Sequence, residues 1–135
     1  MSLVNISHLG LTTLVGYSFP SDTVALLCYD NKLTSLVGCP SGVKTLLCVN
    51  NKLTSLVGCP PGVETLMCAY NGITSLDGCP WSVTSLYCNN NKLTSLAGCP
   101  PNVVTLACNN NPLKSIDGCP SSVTTIYCDI KLIEE

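Results

Sequence analysis

Cysteine is the residue type with the greatest chemical potential in this chain, and its spacing is regular. The 135 residues include 11 cysteines, which fall into two series with a period of 20 residues. The series are Cys28, Cys48, Cys68, Cys88, Cys108 and Cys128, and Cys39, Cys59, Cys79, Cys99 and Cys119. Such a set could form disulfides, coordinate a metal or supply nucleophilic or redox thiols.

The even spacing of the cysteines favours packing over all three of these chemistries. Cysteine behaves as a small apolar residue and is among the residue types most often buried. Disulfides between cysteines of stacked neighbouring repeats are geometrically possible. They would, however, divide an even series into pairs and leave one of the 11 thiols unpaired. Zinc sites usually use a short C-x₂₋₄-C spacing, whereas these spacings alternate between 11 and 9. We therefore expect two columns of packed cysteines, with no metal and no cofactor.

The other polar residues do not assemble into a catalytic set. His8 is the only histidine. The repeat spacing places no second polar residue beside it with which it could act as a general base or bind a metal. Thr-Ser pairs such as Thr34-Ser35 and Thr94-Ser95 are typical of turns, and the sequence has no phosphate-binding glycine loop or paired-carboxylate motif. We expect no enzyme activity, and a thiol-active or metal-active protein is the alternative that the cysteines leave open.

Composition argues against two classes of partner. The formal net charge is −2, and all six cations are lysines that do not cluster. Because phosphate binding and base readout rely heavily on arginine and on basic patches, we expect no nucleic acid partner. No apolar run approaches the roughly 20 residues that span a bilayer, so we expect no membrane partner.

The cysteines belong to a repeat that covers nearly the whole chain. Five consecutive units of 20 residues align: NKLTSLVGCPSGVKTLLCVN, NKLTSLVGCPPGVETLMCAY, NGITSLDGCPWSVTSLYCNN, NKLTSLAGCPPNVVTLACNN and NPLKSIDGCPSSVTTIYCDI. Written as V-x-x-L-x-C-x-x-N-x-L-x-x-L-x-x-C-P, the unit resembles a leucine-rich repeat in which Cys stands at the second leucine of the strand. It is similar to the short, 20-residue class found in bacterial effectors, protists and large DNA viruses, although Gly-Cys-Pro replaces the Leu-Pro turn of the effectors.

Alternation within each unit predicts a short strand. Leu46 and Cys48 alternate with Thr45, Leu47 and Val49, so one pair points inward and the other residues point outward. The same pattern predicts strands at 25–29, 45–49, 65–69, 85–89, 105–109 and 125–129. One coil is too small to fold alone, so the strands must stack in parallel. We predict a mainly β repeat solenoid, a right-handed leucine-rich-repeat coil with one parallel sheet of about seven short strands and an extended or 3₁₀ convex side.

Two further columns are predicted to be structural. The column Asn31, Asn51, Asn71, Asn91 and Asn111 follows the strands, and a buried amide there can bind the backbone of its own coil and of the adjacent one. The strand cysteines Cys48, Cys68, Cys88 and Cys108 form the packing column beside it. The glycine before each Cys-Pro permits the positive φ that the turn requires.

The repeat boundaries predict one solenoid domain over residues 1–135. Residues 1–22 form a degenerate capping coil, in which Val4, Ile6, Leu9, Leu11 and Leu14 occupy inward positions. Residues 23–129 hold five regular repeats plus the last strand, and residues 130–135 form a weak C-terminal end with an open strand edge.

Function in a repeat protein is expected on the outward positions that vary between units. The outward columns of the predicted sheet are largely apolar and include tyrosine and methionine, which are typical of interface cores. We predict a protein partner of unknown identity on Leu27, Tyr29, Leu47, Val49, Met67, Tyr87, Asn89, Asn109 and Tyr127. The alternative is a structural building block that forms a homo-oligomer through the sheet face or the C-terminal edge. Abundant unpaired cysteine indicates a reducing compartment, the cytoplasm, including that of a host cell.

Overall fold

The computed structural model describes residues 1–130, which form one parallel β-sheet of seven short strands. The strands are β1 (Ser2–Asn5), β2 (Thr23–Leu27), β3 (Thr45–Leu47), β4 (Thr65–Met67), β5 (Ser85–Tyr87), β6 (Thr105–Ala107) and β7 (Thr125–Tyr127). Each strand pairs with the next one along the chain, from β1 to β7. The predicted repeat solenoid with a seven-stranded parallel sheet is confirmed, and residues 1–130 contain no helix.

The strands are shorter than the sequence predicts, but their hydrogen-bond ladder continues beyond them. Leu46 pairs with Leu66 in exact repeat register, and β3 ends at Leu47. Beyond that residue the Cys48 amide still donates to Met67 at 2.8 Å, and the Asn50 amide donates to Ala69 at 3.0 Å. Regular strand geometry then stops because Asn50 has φ 57°, a left-handed conformation that Asn tolerates better than most residues.

The core is a stack of identical layers, one per coil. Leu46, Cys48, Leu53, Leu56 and Val63 are each fully buried in the coil that begins at β3. The corresponding side chains of the neighbouring coils are buried in the same way and pack into one continuous cluster. Each layer is therefore completed by the layers above and below it, as nearest-neighbour stacking requires.

The convex side consists of hydrogen-bonded turns and extended segments. The Cys59 amide donates to Leu56 at 3.1 Å, and the Val63 amide donates to Pro60 at 3.4 Å, so each turn closes with a bond over three residues. These are isolated turns and do not continue into a 3₁₀ helix. Two such turns in succession return the chain to the next strand within 20 residues.

The glycine of the first turn is required by close packing as well as by backbone conformation. Gly58 has φ 91°, and a Cβ on it would lie 2.4 Å from the Val37 nitrogen of the preceding coil. Gly16 occupies the same turn in the first described coil. It has φ 85°, and a Cβ there would meet nothing within 4 Å.

The first coil departs from the repeat at one predicted inward position. Ile6 and Leu14 are buried, and Val4 and Leu11 are partly buried. Leu9, however, is 59% exposed, and the prediction that it points inward is wrong. It stands where the regular coils place a buried asparagine, and an amide there reaches backbone groups that a leucine side chain cannot bind.

The last coil is less completely covered than the inner coils. Leu113, Ile116, Val123 and Ile126 are only partly buried, whereas their counterparts in the inner coils are fully buried. The predicted weak C-terminal end lies outside the described residues apart from Ile130. No helix within residues 1–130 has the length and apolar character needed to cross a membrane.

We predict that Gly58→Ala destabilises the protein more than Gly16→Ala. Both substitutions place alanine at positive φ, which costs about 1–2 kcal/mol. Only Gly58→Ala also pushes a methyl group into the backbone of the preceding coil, which adds about 1–3 kcal/mol of packing strain. Urea denaturation followed by circular dichroism measures the two losses, and equal losses would contradict the close-packing account.

Candidate functional site

The asparagine column fixes the shape of the sheet by joining each coil to the one before it. The Asn51 Nδ2 donates to the Cys48 carbonyl of its own coil at 3.0 Å and to the Cys28 carbonyl of the preceding coil at 3.1 Å. Its Oδ1 accepts the Leu33 amide at 2.9 Å. Asn71, Asn91 and Asn111 repeat these three contacts. Three backbone groups that no regular ladder reaches are thus satisfied by one side chain per coil.

Asn31 extends this column into the degenerate first coil. Its Oδ1 accepts the amides of Leu9 at 3.1 Å and Leu11 at 2.9 Å, and its Nδ2 donates to the Ile6 carbonyl at 2.9 Å. The first coil has no asparagine of its own at this position, so the second coil holds its turn.

The outward face of the sheet carries a continuous apolar column along the solenoid. In strand register, Leu27 pairs with Leu47, Leu47 with Met67, and Met67 with Tyr87. Adjacent strands lie about 4.8 Å apart, so these side chains stand next to one another. The structure therefore brings the predicted binding residues Leu27, Leu47, Met67 and Tyr87 together on one surface.

The predicted binding residues are less exposed than an isolated strand would leave them. Leu27, Tyr29, Leu47, Val49, Met67, Tyr87, Asn89 and Asn109 are half-buried. Tyr127 on β7, which has no described strand beyond it, is 55% exposed. Side chains on neighbouring strands stand close enough to account for this partial burial.

Tyr70 is a candidate contact residue that the strand pattern did not reveal. It has φ 57°, in a column otherwise occupied by residues that tolerate this conformation, namely His8, Asp30, Asn50, Asn90 and Asn110. An aromatic residue there is uncommon, because a Cβ at positive φ approaches the carbonyl oxygen. Tyr70 is nevertheless 56% exposed, directly after the buried Ala69. The signal in the sequence is that this column is Asp or Asn at positions 30, 50, 90 and 110, whereas position 70 is Tyr.

The C-terminal part of the outward face is more polar. Tyr87, Ala107 and Tyr127 are register neighbours, and Asn89, Asn109 and Asp129 follow them two residues later. The Asp129 carboxylate accepts a hydrogen bond from the Asn110 amide of the preceding coil. This carboxylate is thereby held against the backbone of the preceding coil.

The two cysteine columns differ in burial. The strand residues Cys48, Cys68 and Cys88 are fully buried, whereas Cys39, Cys59, Cys99 and Cys119 of the turn column are partly exposed. All 11 cysteines are unpaired. Within residues 1–130, no three His, Cys, Asp or Glu side chains converge as a metal site would require.

Burial keeps the thiols protonated. It raises the pKa of Cys28 to about 12 and that of Cys99 to about 11. Burial also raises the pKa of Cys48, with a further contribution from the neighbouring thiols Cys68 and Cys28. Because the thiolate is the reactive form, these cysteines are poor nucleophiles near neutral pH.

His8 has a polar partner that the repeat spacing did not predict. Its Nδ1 lies 3.2 Å from the Asp30 Oδ2, and its ring packs edge-on against Tyr29 at 5.3 Å. A His-Asp pair can orient an imidazole, but acyl transfer also needs a nucleophile hydrogen-bonded to the other nitrogen. Among the described hydrogen bonds, none joins the Nε2 of His8 to a hydroxyl or thiol.

Trp81 is the largest exposed side chain on the convex side. It follows Cys79-Pro80 and is 74% exposed, so it leaves most of its surface free instead of covering the turn. It lies on the opposite side of the coil from the strand face and contributes nothing to the apolar column.

We predict that alkylation of the native protein follows burial. Burial raises the pKa of Cys48, Cys68 and Cys119, but Cys119 should react before the other two because it is partly exposed whereas they are fully buried. For Cys99, a shift in pKa from 9.0 to about 11 lowers the thiolate fraction about a hundredfold. Iodoacetamide labelling with peptide mass spectrometry measures each site, and labelling in guanidinium chloride is the control. Equal native rates at Cys48 and Cys119 would contradict this assignment.

Comparison with known proteins identifies the architecture. No family model matches the sequence, and no curated protein matches it. Among solved structures, the leucine-rich-repeat domain of a Shigella effector is similar, with 26% identity and a TM-score of 0.74 over 84% of this chain. YopM from Yersinia enterocolitica is similar at 25% identity, with a TM-score of 0.68 over 83% of this chain.

This chain is shorter than both of those structures. The matches cover 51% of the Shigella domain and 30% of YopM. The shared features are the parallel strand ladder and the coil, which are also the features that the repeat pattern predicts. The chain therefore has a leucine-rich-repeat fold of the short, 20-residue class.

Proposed function

We propose that this protein is a non-enzymatic interaction module that binds a protein partner on the outward face of its sheet. The observation that carries the proposal is the continuous apolar column of Leu27, Leu47, Met67 and Tyr87 across neighbouring strands. Each of the four strands β2 to β5 supplies one member, so the column is a property of the assembled sheet and not of any single repeat.

The chemistry of this face suits a protein surface. Tyrosine and methionine are enriched in interface cores, and charged residues are depleted there. The outward strand positions from β2 to β7 carry no charged side chain within the described residues. A partner with an apolar strip can therefore cover the column without desolvating an unpaired charge.

Tyr70 supports the same assignment. A bulky residue held at positive φ costs about 1–2 kcal/mol relative to the ordinary conformations. Such strain occurs often at functional sites, where the surrounding structure holds the residue in place. Tyr70 lies three residues beyond Met67, the last residue of β4, so its exposed ring can extend the apolar column toward the edge of the sheet.

The similar structures agree with this proposal at the level of the fold. Both are leucine-rich-repeat proteins, and one is described as the leucine-rich-repeat domain of an effector. We also propose that the protein works in a reducing compartment, the cytoplasm, because abundant unpaired cysteine is typical of proteins from compartments that keep thiols reduced.

We predict that Met67→Asp combined with Tyr87→Asp abolishes capture of the partner. Two carboxylates at the centre of the apolar column would have to be desolvated on binding, which costs several kcal/mol. Affinity capture from a lysate of the cells that make the protein, followed by mass spectrometry, compares the variant with the wild type. The far-ultraviolet circular dichroism spectrum of the variant should match that of the wild type.

The matched control is Thr54→Asp combined with Thr94→Asp. Both threonines are exposed outside the sheet face, so this variant adds the same charge elsewhere and should capture the partner as the wild type does. Capture that survives in Met67→Asp, Tyr87→Asp would rule out the sheet face. Recovery of only the protein itself would favour the alternative, a self-associating building block.

A further inference from the structure

The asparagine column contains a single Asn-Gly step, which lies in the turn after β4. Asn71 is followed by Gly72, whereas at the other four positions of the column the asparagine is followed by lysine or proline. Asparagine is a thermolabile residue type, because its side-chain amide can be attacked by the backbone nitrogen of the next residue. Glycine has no side chain to hinder that nitrogen. Asn71 is therefore the amide of the column that is most prone to deamidation.

Deamidation at this step proceeds through a cyclic imide, and water is the only co-reactant. The Gly72 nitrogen bonds to the Asn71 Cγ, and the bond from Cγ to Nδ2 breaks. Nδ2 leaves as ammonia with the proton that the Gly72 nitrogen gives up. Water then opens the ring at either carbonyl, which leaves aspartate or isoaspartate at position 71. No electrons are transferred.

Stacking of the coils holds both reacting groups in other contacts. The Gly72 amide donates to the Leu53 carbonyl at 2.8 Å. The Asn71 Nδ2 donates to the carbonyls of Cys48 and Cys68 at 3.1 Å each. Its Oδ1 accepts the Leu53 amide at 3.0 Å. Leu53 and Cys48 belong to the preceding coil, so ring closure requires the two coils to separate locally.

The products cannot remake the joint that the amide forms. A carboxylate has only acceptor oxygens. At position 71 these oxygens would face the carbonyls of Cys48 and Cys68, where the native amide supplies a donor to both. Isoaspartate also adds one carbon to the backbone and so disturbs the 20-residue register of the stack. The change is therefore both irreversible and disruptive.

We propose that Asn71 is a deamidation site that is gated by the stacking of the coils that begin at β3 and β4. While these coils are stacked, the hydrogen bonds of Asn71 and Gly72 block ring closure. When the coils separate, the imide forms and the joint is lost. The site thus records opening of this part of the solenoid as a permanent chemical change. The reaction needs no partner, so its test is independent of the proposed function.

Mass spectrometry of protein aged in mildly alkaline buffer, with and without guanidinium chloride, measures deamidation at each asparagine. Digestion with pepsin in acid limits further reaction during preparation. In denaturant, Asn71 should deamidate faster than Asn91, which precedes a lysine. In the native protein, Asn71 should react about a hundredfold more slowly than in denaturant, because several hydrogen bonds must open together.

Gly72→Lys is the matched variant, because lysine occupies this position in the coils on both sides. A Cβ on Gly72 would lie 3.5 Å from the Leu53 oxygen, which is an ordinary contact, so the variant should keep the circular dichroism spectrum of the wild type. In denaturant, Asn71 of this variant should react as slowly as Asn91 does.

Asn71→Asp reproduces one of the products and should lower the midpoint of urea denaturation. Asn102→Asp makes the same chemical change on an exposed turn and should leave the midpoint close to that of the wild type. Four results would each overturn the proposal: equal native and denatured rates at Asn71, equal rates at Asn71 and Asn91 in denaturant, an unchanged rate in Gly72→Lys, or equal midpoints for the two aspartate variants.

Discussion

The amide side chain that joins each coil to the preceding one is the interaction on which the rest of this structure depends. A 20-residue coil returns to its starting side through turns, and turns leave backbone groups without partners in the regular ladder. In each regular coil one asparagine supplies those partners, as Asn51 does for Leu33, Cys28 and Cys48. Leaving a buried backbone group unpaired costs about 1–3 kcal/mol. A coil therefore reaches its full stability only when the next coil is present.

Because each coil depends on its neighbours, the residues that build the scaffold are constrained, whereas those on the outward surface are free to vary. The leucine and strand-cysteine layers are repeated almost unchanged, because each must fit the layers above and below it. Gly58 shows how little tolerance remains, since one added methyl group would overlap the backbone of the preceding coil. The outward positions have no such constraint. They vary between repeats, and the same register that aligns the core aligns Leu47, Met67 and Tyr87 into one surface.

Most of the fold could be predicted from the sequence, because the period and the alternation report directly on stacking and on side-chain direction. Leu46 and Cys48 are buried where alternation places them. The end of each strand was harder to predict, since Asn50 adopts positive φ while the ladder continues past it. Leu9 was assigned inward by alignment alone, yet it stands at the position where the regular coils place an asparagine, and its side chain is exposed.

The candidate site was predictable only in outline. Alternation identified the outward residues, but their half-burial depends on the side chains of neighbouring strands. Tyr70 was missed because its position follows the strand and is defined by backbone conformation. The pairing of His8 with Asp30 joins a degenerate coil to a regular one, so no repeat spacing encodes it. Contacts between different coils are thus the features that the pattern of a single repeat cannot predict.

Native-state hydrogen exchange tests the coupling of coils through asparagine most directly. The amides of Leu33, Leu53, Ile73 and Leu93 each donate to the asparagine of the following coil. They should be protected as strongly as the strand-end amide of Cys48. In an Asn71→Ala variant, the Leu53 amide should lose its protection while the Leu93 amide keeps it. Exchange of the four amides at the rate of exposed turns in the wild type, or unchanged protection of Leu53 in the variant, would contradict the account.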